Sequence, residues 1–157
     1  MWTKLAFRKD LLETPEDRWN ASIEAIVENE TRGDKQVTKT AWHAYSYYSE
    51  LESGGHEAFL NHFEDRFKEF GPETFLKNTV VALEEIGAKK HAANLNEHGL
   101  ELWTVYTQLE QDMGFEEIFY ERIAVADEAY YSFDPPLHDY LENFFENNYQ
   151  HLIEITE

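Results

Sequence analysis

The sequence predicts an all-α protein: a single compact domain over residues 1–157 with about seven helices and short connections. Apolar residues recur every three or four positions along nearly the whole chain, which is the spacing of one helix face. Cap residues, prolines and glycines divide this pattern into segments of helical length. No internal repeat, low-complexity stretch or linker indicates a second domain.

The first helix begins at Thr14-Pro15-Glu16-Asp17, which combines a cap residue, a proline and two acids. Its predicted inward residues are Trp19, Ile23, Ile26 and Val27. The second helix covers about 34–53 and ends at the pair Gly54-Gly55. The third covers about 56–69, and its predicted inward residues are Phe59, Phe63, Phe67 and Phe70.

A fourth helix begins after Gly71 and ends at Gly87. The fifth covers about 89–110, with Gly99 as a point where it could divide. The sixth follows Gly114, and its predicted inward residues are Phe119, Ile123, Ala126 and Tyr130. It stops at Phe133-Asp134-Pro135-Pro136, because the prolines cannot continue it. In the last helix the predicted inward residues are Leu137, Leu141, Phe144 and Leu152.

Net charge limits the possible partners. The chain has 32 acidic and 13 basic residues, a net charge of minus 19. Such a field argues against direct binding to nucleic acid or to an anionic membrane, since each phosphate contact would oppose it. The chain has no cysteine and no long apolar run, so the sequence predicts a cytoplasmic protein without disulfides or membrane spans.

The charge is concentrated in the last two fifths of the chain. Residues 1–90 hold 17 acids and 12 bases, whereas residues 91–157 hold 15 acids and one base, Arg122. Rows such as Glu117, Glu121 and Glu128 share one helix face without any compensating cation. The sequence therefore predicts an acidic surface for a basic partner, made of Glu110, Asp112, Glu116, Glu117, Glu121, Asp127, Glu128, Asp139, Glu142 and Glu146.

Catalytic and cofactor motifs are missing, so the sequence predicts no enzyme, no cofactor and no metal site. None of the seven histidines stands in a Glu-x-x-His or His-Glu-x-x-His pattern. His138 and Glu142, four residues apart, leave a metal site open as an alternative to a local ion pair. Gly54-Gly55 lacks the remainder of a phosphate-binding motif and predicts a turn, with His56 beside it as a surface or capping residue.

Four stretches in fixed order carry a family resemblance. They are Leu51–Leu60 with its Ser-Gly-Gly-His core, Ala82–Ala88 followed by Ala92–Leu95, Ala126–Tyr131, and Leu137–Phe144. Their order resembles a family of small acidic all-helical bacterial domains whose characterised type is a DNA mimic protein. The resemblance covers about residues 35–150. It implies an acidic surface that occupies the DNA-binding face of a transcription factor or another DNA-binding protein, often as a homodimer.

Charge and resemblance together favour a non-enzymatic protein that mimics DNA phosphates. Three alternatives stay open from the sequence. The first is an immunity or antitoxin protein that neutralises a basic nuclease toxin. The second is an enzyme or metal protein that uses His138 and Glu142. The third is an acidic domain whose charge serves solubility alone.

Overall fold

The computed structural model describes residues 1–157 and has the predicted all-α fold. Its seven α-helices are α1 Pro15–Glu28, α2 Gln36–His62, α3 Glu64–Phe70, α4 Pro72–Glu85, α5 Lys89–Gln111, α6 Glu116–Ser132 and α7 Leu137–Leu152. Two short strands, β1 Ala6–Arg8 and β2 Glu154–Thr156, pair in parallel and join the two ends of the chain. None of the helices is long and apolar enough to cross a bilayer.

The predicted start of α1 is confirmed in detail. Thr14 Oγ1 accepts a hydrogen bond from the Asp17 backbone N–H at 3.0 Å, and the Asp17 carboxylate accepts one from the Thr14 N–H at 3.1 Å. This reciprocal capping box satisfies two backbone donors that a helix start otherwise leaves free. The helix begins at Pro15, as its fixed φ favours.

The predicted break at Gly54-Gly55 is confirmed as a kink, since both glycines have non-helical backbone angles, whereas the predicted third helix divides again at Phe63. Residues 36–62 form α2 with a sharp kink at Gly54 and Gly55, and α3 begins only at Glu64. Gly55 has φ of 71° and ψ of −162°, a conformation that side-chain-bearing residues avoid. The glycine pair therefore turns the chain within α2.

Helix α2 lies at the centre and contacts α1, α4, α6 and α7, while α4 and α5 pack closely side by side. Gly99 does not divide α5; a Cβ there would lie 2.9 Å from a Leu76 methyl group, so glycine permits the close approach. Two predicted core positions were wrong, because Val27 and Phe70 are exposed. Phe144 is half-buried and packs against the core, and its neighbour Phe145 is the more deeply buried of the two. In α7 the first three buried residues, Leu137, Leu141 and Phe145, are spaced by four, and Leu152 follows seven positions later.

His91 in α5 is a buried polar side chain among aromatic rings. It is 1% exposed, and neither ring nitrogen has a hydrogen-bond partner. The rings of Tyr130, Phe133 and Tyr140 surround it, with centroids 4.9–6.0 Å away. Burial lowers the pKa of His91 to about 4, so the imidazole is neutral in the folded protein at pH 7.

Acid should therefore weaken the fold through His91. The pKa of His91 is lower in the folded protein than in the unfolded chain, where it is about 6.5. The stability linked to neutral His91 is therefore fully present above about pH 6.5 and is lost as the pH falls towards 4. Between pH 7 and pH 5, we expect the wild type to lose about 2 kcal/mol more unfolding free energy than His91→Leu. Urea denaturation at both pH values measures this, and His151→Gln, which removes an exposed imidazole, is the control. Equal pH dependence in the wild type and His91→Leu would contradict the prediction.

Candidate partner-binding surface

The ten carboxylates predicted to contact a partner lie on two separate parts of the surface. Seven belong to the end of α5, the connection after it and α6, and three belong to α7. Helices α6 and α7 both pack against α2 and not extensively against each other. Asp127 and Glu146 are half-buried, and the other eight are exposed: Glu110, Asp112, Glu116, Glu117, Glu121, Glu128, Asp139 and Glu142.

Helix α6 turns a row of carboxylates outward. At about 100° per residue, Glu117, Glu121 and Glu128 lie opposite the buried stripe of the helix, and all three are exposed. At 1.5 Å per residue, the row extends about 16 Å along the helix. The buried stripe, which matches the predicted one, consists of Phe119, Ile123, Ala126 and Tyr130.

On its side facing α2, α6 carries two exposed tyrosines held by hydrogen bonds. Tyr120 Oη donates to Glu57 Oε2 at 2.9 Å, and this bond is the main cause of a raised Tyr120 pKa. Tyr131 Oη donates to the carbonyl of Leu51. Burial raises the pKa of Tyr131, with the nearby carboxylate of Asp127 as the second cause. Both phenols are therefore protonated and fixed against α2 at neutral pH.

At the end of α5, carboxylates crowd around Tyr106. Tyr106 Oη donates to Asn61 Oδ1 at 2.7 Å. Burial raises the Tyr106 pKa to about 12, and the carboxylates of Glu64, Glu110 and Glu57 contribute. Interaction with the neighbouring Glu64 carboxyl, followed by burial, raises the pKa of Glu110. Carboxylates from distant parts of the sequence therefore meet here.

The single base of residues 91–157 does not neutralise this surface. Arg122 Nε lies 2.5 Å from Glu101 Oε1 on α5, and its helical position places it on the side of α6 away from α2. Asp112 has a local role in addition to its exposure, because its Oδ1 accepts a hydrogen bond from the Gly114 N–H at 2.8 Å. The outward row of α6 has no cation of its own helix within ion-pair distance.

The Asp127 carboxylate forms hydrogen bonds within the protein. Its Oδ1 accepts two hydrogen bonds from His56, from the backbone N–H at 2.9 Å and from Nδ1 at 2.7 Å. His56 Nε2 is in turn bonded to Tyr47 Oη at 2.7 Å. The prediction of His56 as a surface residue was wrong, since it is 1% exposed.

The chain of Asp127, His56 and Tyr47 has the order of a catalytic relay but no access for a substrate. Tyr47 is fully buried, and burial raises its pKa well above the usual value for a phenol. A hydroxyl that neither touches solvent nor ionises cannot attack a bound molecule. The geometry instead supports a structural role, in which Asp127 joins α6 to the kink of α2.

On α7, Glu146 is also engaged within the fold. Arg18 holds it with two hydrogen bonds, Nε to Oε2 at 2.6 Å and Nη2 to Oε1 at 2.7 Å, and this pairing lowers the Glu146 pKa. His138 Nδ1 lies 3.6 Å from Asp139 and 3.7 Å from Glu142. No group of three or more histidine or acidic side chains is arranged to hold a metal ion.

Sequence reasoning missed three carboxylates that the fold adds to this region: Glu52, Glu57 and Glu64. They belong to the less acidic first part of the chain, so counting charge by segment could not find them. We define the acidic face as the carboxylates around α6 and its two exposed tyrosines: Glu57, Glu110, Glu116, Glu117, Glu121, Glu128, Tyr120 and Tyr131.

The fold and this surface define an all-helical acidic protein that presents carboxylates and tyrosines to solvent. Residues 35–148 match the sequence profile of the DMP19-like protein family. The chain belongs to that family, which agrees with the resemblance found in its motifs. It matches no curated protein and no solved structure.

Proposed function

We propose that this protein is a non-enzymatic DNA mimic whose acidic face occupies the DNA-binding surface of a basic protein such as a transcription factor. Membership of the DMP19-like family supports this proposal. The observation that carries it is the outward carboxylate row of α6, with the only base of that helix paired on the other side. Along the helix axis Glu121 lies about 6 Å from Glu117, and Glu128 lies about 10 Å further on; these carboxylates take the place of DNA phosphates for the partner's lysines and arginines.

The length of the row suits a short stretch of duplex. Its extent of about 16 Å equals the rise of about five base pairs, at 3.4 Å per phosphate along each strand. Tyr120 and Tyr131 lie beside the row and are 45% and 56% exposed. Tyrosine is enriched at protein interfaces, so these rings supply contact area that phosphates alone would not.

The face is held in place before a partner binds. Tyr120 and Tyr131 are bonded to α2, and Asp127 anchors α6 to the α2 kink. A surface that needs little ordering on binding loses less free energy to conformational entropy. This supports a role for the face as a fixed template for a basic partner.

The proposed contact set is smaller than the sequence suggested. Asp127 and Glu146 are engaged within the fold. Asp139 and Glu142 form a separate exposed patch on α7, across the connection 133–136. We therefore assign the main contact to the acidic face, while the homodimer that the resemblance implies stays a prediction for light scattering to test.

A competition experiment tests the proposal. A partner is captured from lysate of the source cells at low salt, purified and bound to its own DNA site. We expect the protein to displace that DNA, and the affinity to fall at least tenfold between about 50 and 200 mM salt, since several ion pairs form. The triple variant Glu117→Gln, Glu121→Gln, Glu128→Gln should bind at least about tenfold more weakly.

A matched variant separates the effect of the acidic face on binding from the effect of total charge. Glu13→Gln, Glu24→Gln, Glu28→Gln removes the same charge from exposed positions in and before α1, none of which is ion-paired. It should bind almost as well as the wild type. A ternary complex of protein, partner and DNA would contradict mimicry, and a captured nuclease without regulatory DNA binding would favour the immunity alternative.

A further inference from the structure

A cleft between the first turn of α2 and α4 is cationic, although the protein as a whole is strongly acidic. Its volume is about 220 Å³, and no carboxylate lines it. The cleft contains Arg32, Lys39 and Lys77, and none of these three cations lies within ion-pair distance of a carboxylate, since the ion pairs of the chain use other bases. We call it the cationic cleft; its other polar lining residues are Gln36, Thr40, His43 and Asn78.

Arg32 is held in the cleft by an unusual partner. Its Nη1 lies 3.0 Å from Nε2 of His43, and a guanidinium can only donate, so this imidazole nitrogen accepts. Burial, followed by the charges of Arg32, Arg66 and Lys39, lowers the pKa of His43 to about 3. A neutral histidine orients Arg32 and leaves its positive charge uncompensated.

His43 itself is incompletely satisfied. It is 5% exposed, and its Nδ1 has no hydrogen-bond partner. With Nε2 accepting from Arg32, the neutral ring carries its proton on Nδ1. A buried polar group without a partner costs free energy, so a site that retains one calls for an explanation.

The start of α2 adds to the positive field. Lys35 at the N-cap offers no side-chain hydrogen bond, and the first turn contains no acidic residue. This differs from α1, where Thr14 and Asp17 cap the helix. Free backbone N–H groups and the positive end of the helix dipole favour an anion at such a position.

We propose that the cationic cleft binds a small phosphate-bearing anion, inorganic phosphate or a phosphate monoester. Arg32 suits bidentate binding of phosphate oxygens, and Lys39 and Lys77 act as point charges beside it. The volume admits one or two phosphate groups and is small for larger ligands. The negative field of the surrounding protein disfavours a polyanion such as nucleic acid. The concave shape of the cleft favours a small anion over a row of carboxylates on a second copy of this chain.

The test uses the full chain without an affinity tag and two probes, inorganic phosphate and pyrophosphate, titrated at constant ionic strength. Calorimetry should show saturable binding with one site, with a dissociation constant below about 1 mM for the tighter probe. The ring carbon-bound proton resonances of His43 should shift on binding, and its pKa should rise, because the anion offsets the neighbouring cations.

Two substitutions with equal charge change decide whether the site is specific. Lys77→Gln removes an exposed cation of the cleft and should weaken binding at least about tenfold, whereas Lys90→Gln, also exposed but outside the cleft, should change it less than about twofold. Equal effects of both, or no saturable binding of either probe up to about 10 mM, would overturn the proposal. Dissociation of a dimer by phosphate, measured by light scattering, would also overturn it and would identify a second copy as the occupant.

Discussion

Replacing Asp127 with alanine is expected to lower the free energy of unfolding by about 3 kcal/mol. The substitution leaves two donors of His56 without a partner, the backbone N–H and Nδ1–H. His56 is 1% exposed, so water does not replace the lost acceptor without local opening. Urea denaturation at pH 7 measures the change.

The neighbouring carboxylate supplies the control. Glu128 is exposed on the same helix and forms no ion pair, so Glu128→Ala should change stability by less than about 0.5 kcal/mol. Asp127→Asn keeps one carbonyl acceptor, so its loss of unfolding free energy should lie between those of Asp127→Ala and Glu128→Ala. If Asp127→Ala and Glu128→Ala had equal effects, Asp127 would not be the structural anchor of α6.

Gly55→Ala is the second large effect, and we expect a loss of about 3–5 kcal/mol. The backbone of Gly55, with φ of 71° and ψ of −162°, is strained for any residue with a side chain. In addition, a Cβ at this position would lie 2.5 Å from Asp127 Oδ2, so the carboxylate would have to leave His56. Strain and steric conflict therefore act together, and chemical denaturation measures their sum.

A second glycine separates the two causes. Gly71 has φ of 85° and ψ of 143°, and a Cβ there would meet no atom within 4 Å. Gly71→Ala should therefore cost about 1–3 kcal/mol from backbone strain alone. In the background of Asp127→Ala, Gly55→Ala should cost less than in the wild type, because the conflicting carboxylate is gone. Fully additive effects would show that Gly55 and Asp127 are not coupled.

These variants also sharpen the functional experiments. Asp127 lies between exposed carboxylates of α6, and a loss of partner binding in Asp127→Ala would reflect displacement of the helix. The outward residues Glu117, Glu121 and Glu128 can be changed without touching that anchor. A loss of binding in their triple variant, with unchanged stability, therefore reports on the acidic face itself.

Much of the local structure could be predicted from residue order. The capping box at Thr14 and the buried stripe of α6 depend on neighbours within one or two turns, and both were found as predicted. Residue order was less informative where two helices meet. Phe144 and Phe145 are both apolar, and only the packing of α7 against α1 and α2 buries Phe145 more deeply than Phe144.

The candidate site was predicted only in part for the same reason. The outward row of α6 follows from helical spacing within one segment. Glu57 joins the surface through a hydrogen bond from Tyr120, which lies 63 positions away in the sequence. The cationic cleft likewise combines Arg32 and Lys39 with Lys77 of α4.

The sequence by itself determined the helical fold, most helix boundaries, the net charge of minus 19 and its concentration after residue 90. These properties depend on composition and on spacings of three or four residues. The tertiary structure alone decided which charges are available. It places Asp127 on His56, 71 positions away, and Glu146 on Arg18, 128 positions away. Local periodicity carries no information on such distant pairs, because they form only when the packed helices bring them within hydrogen-bond distance.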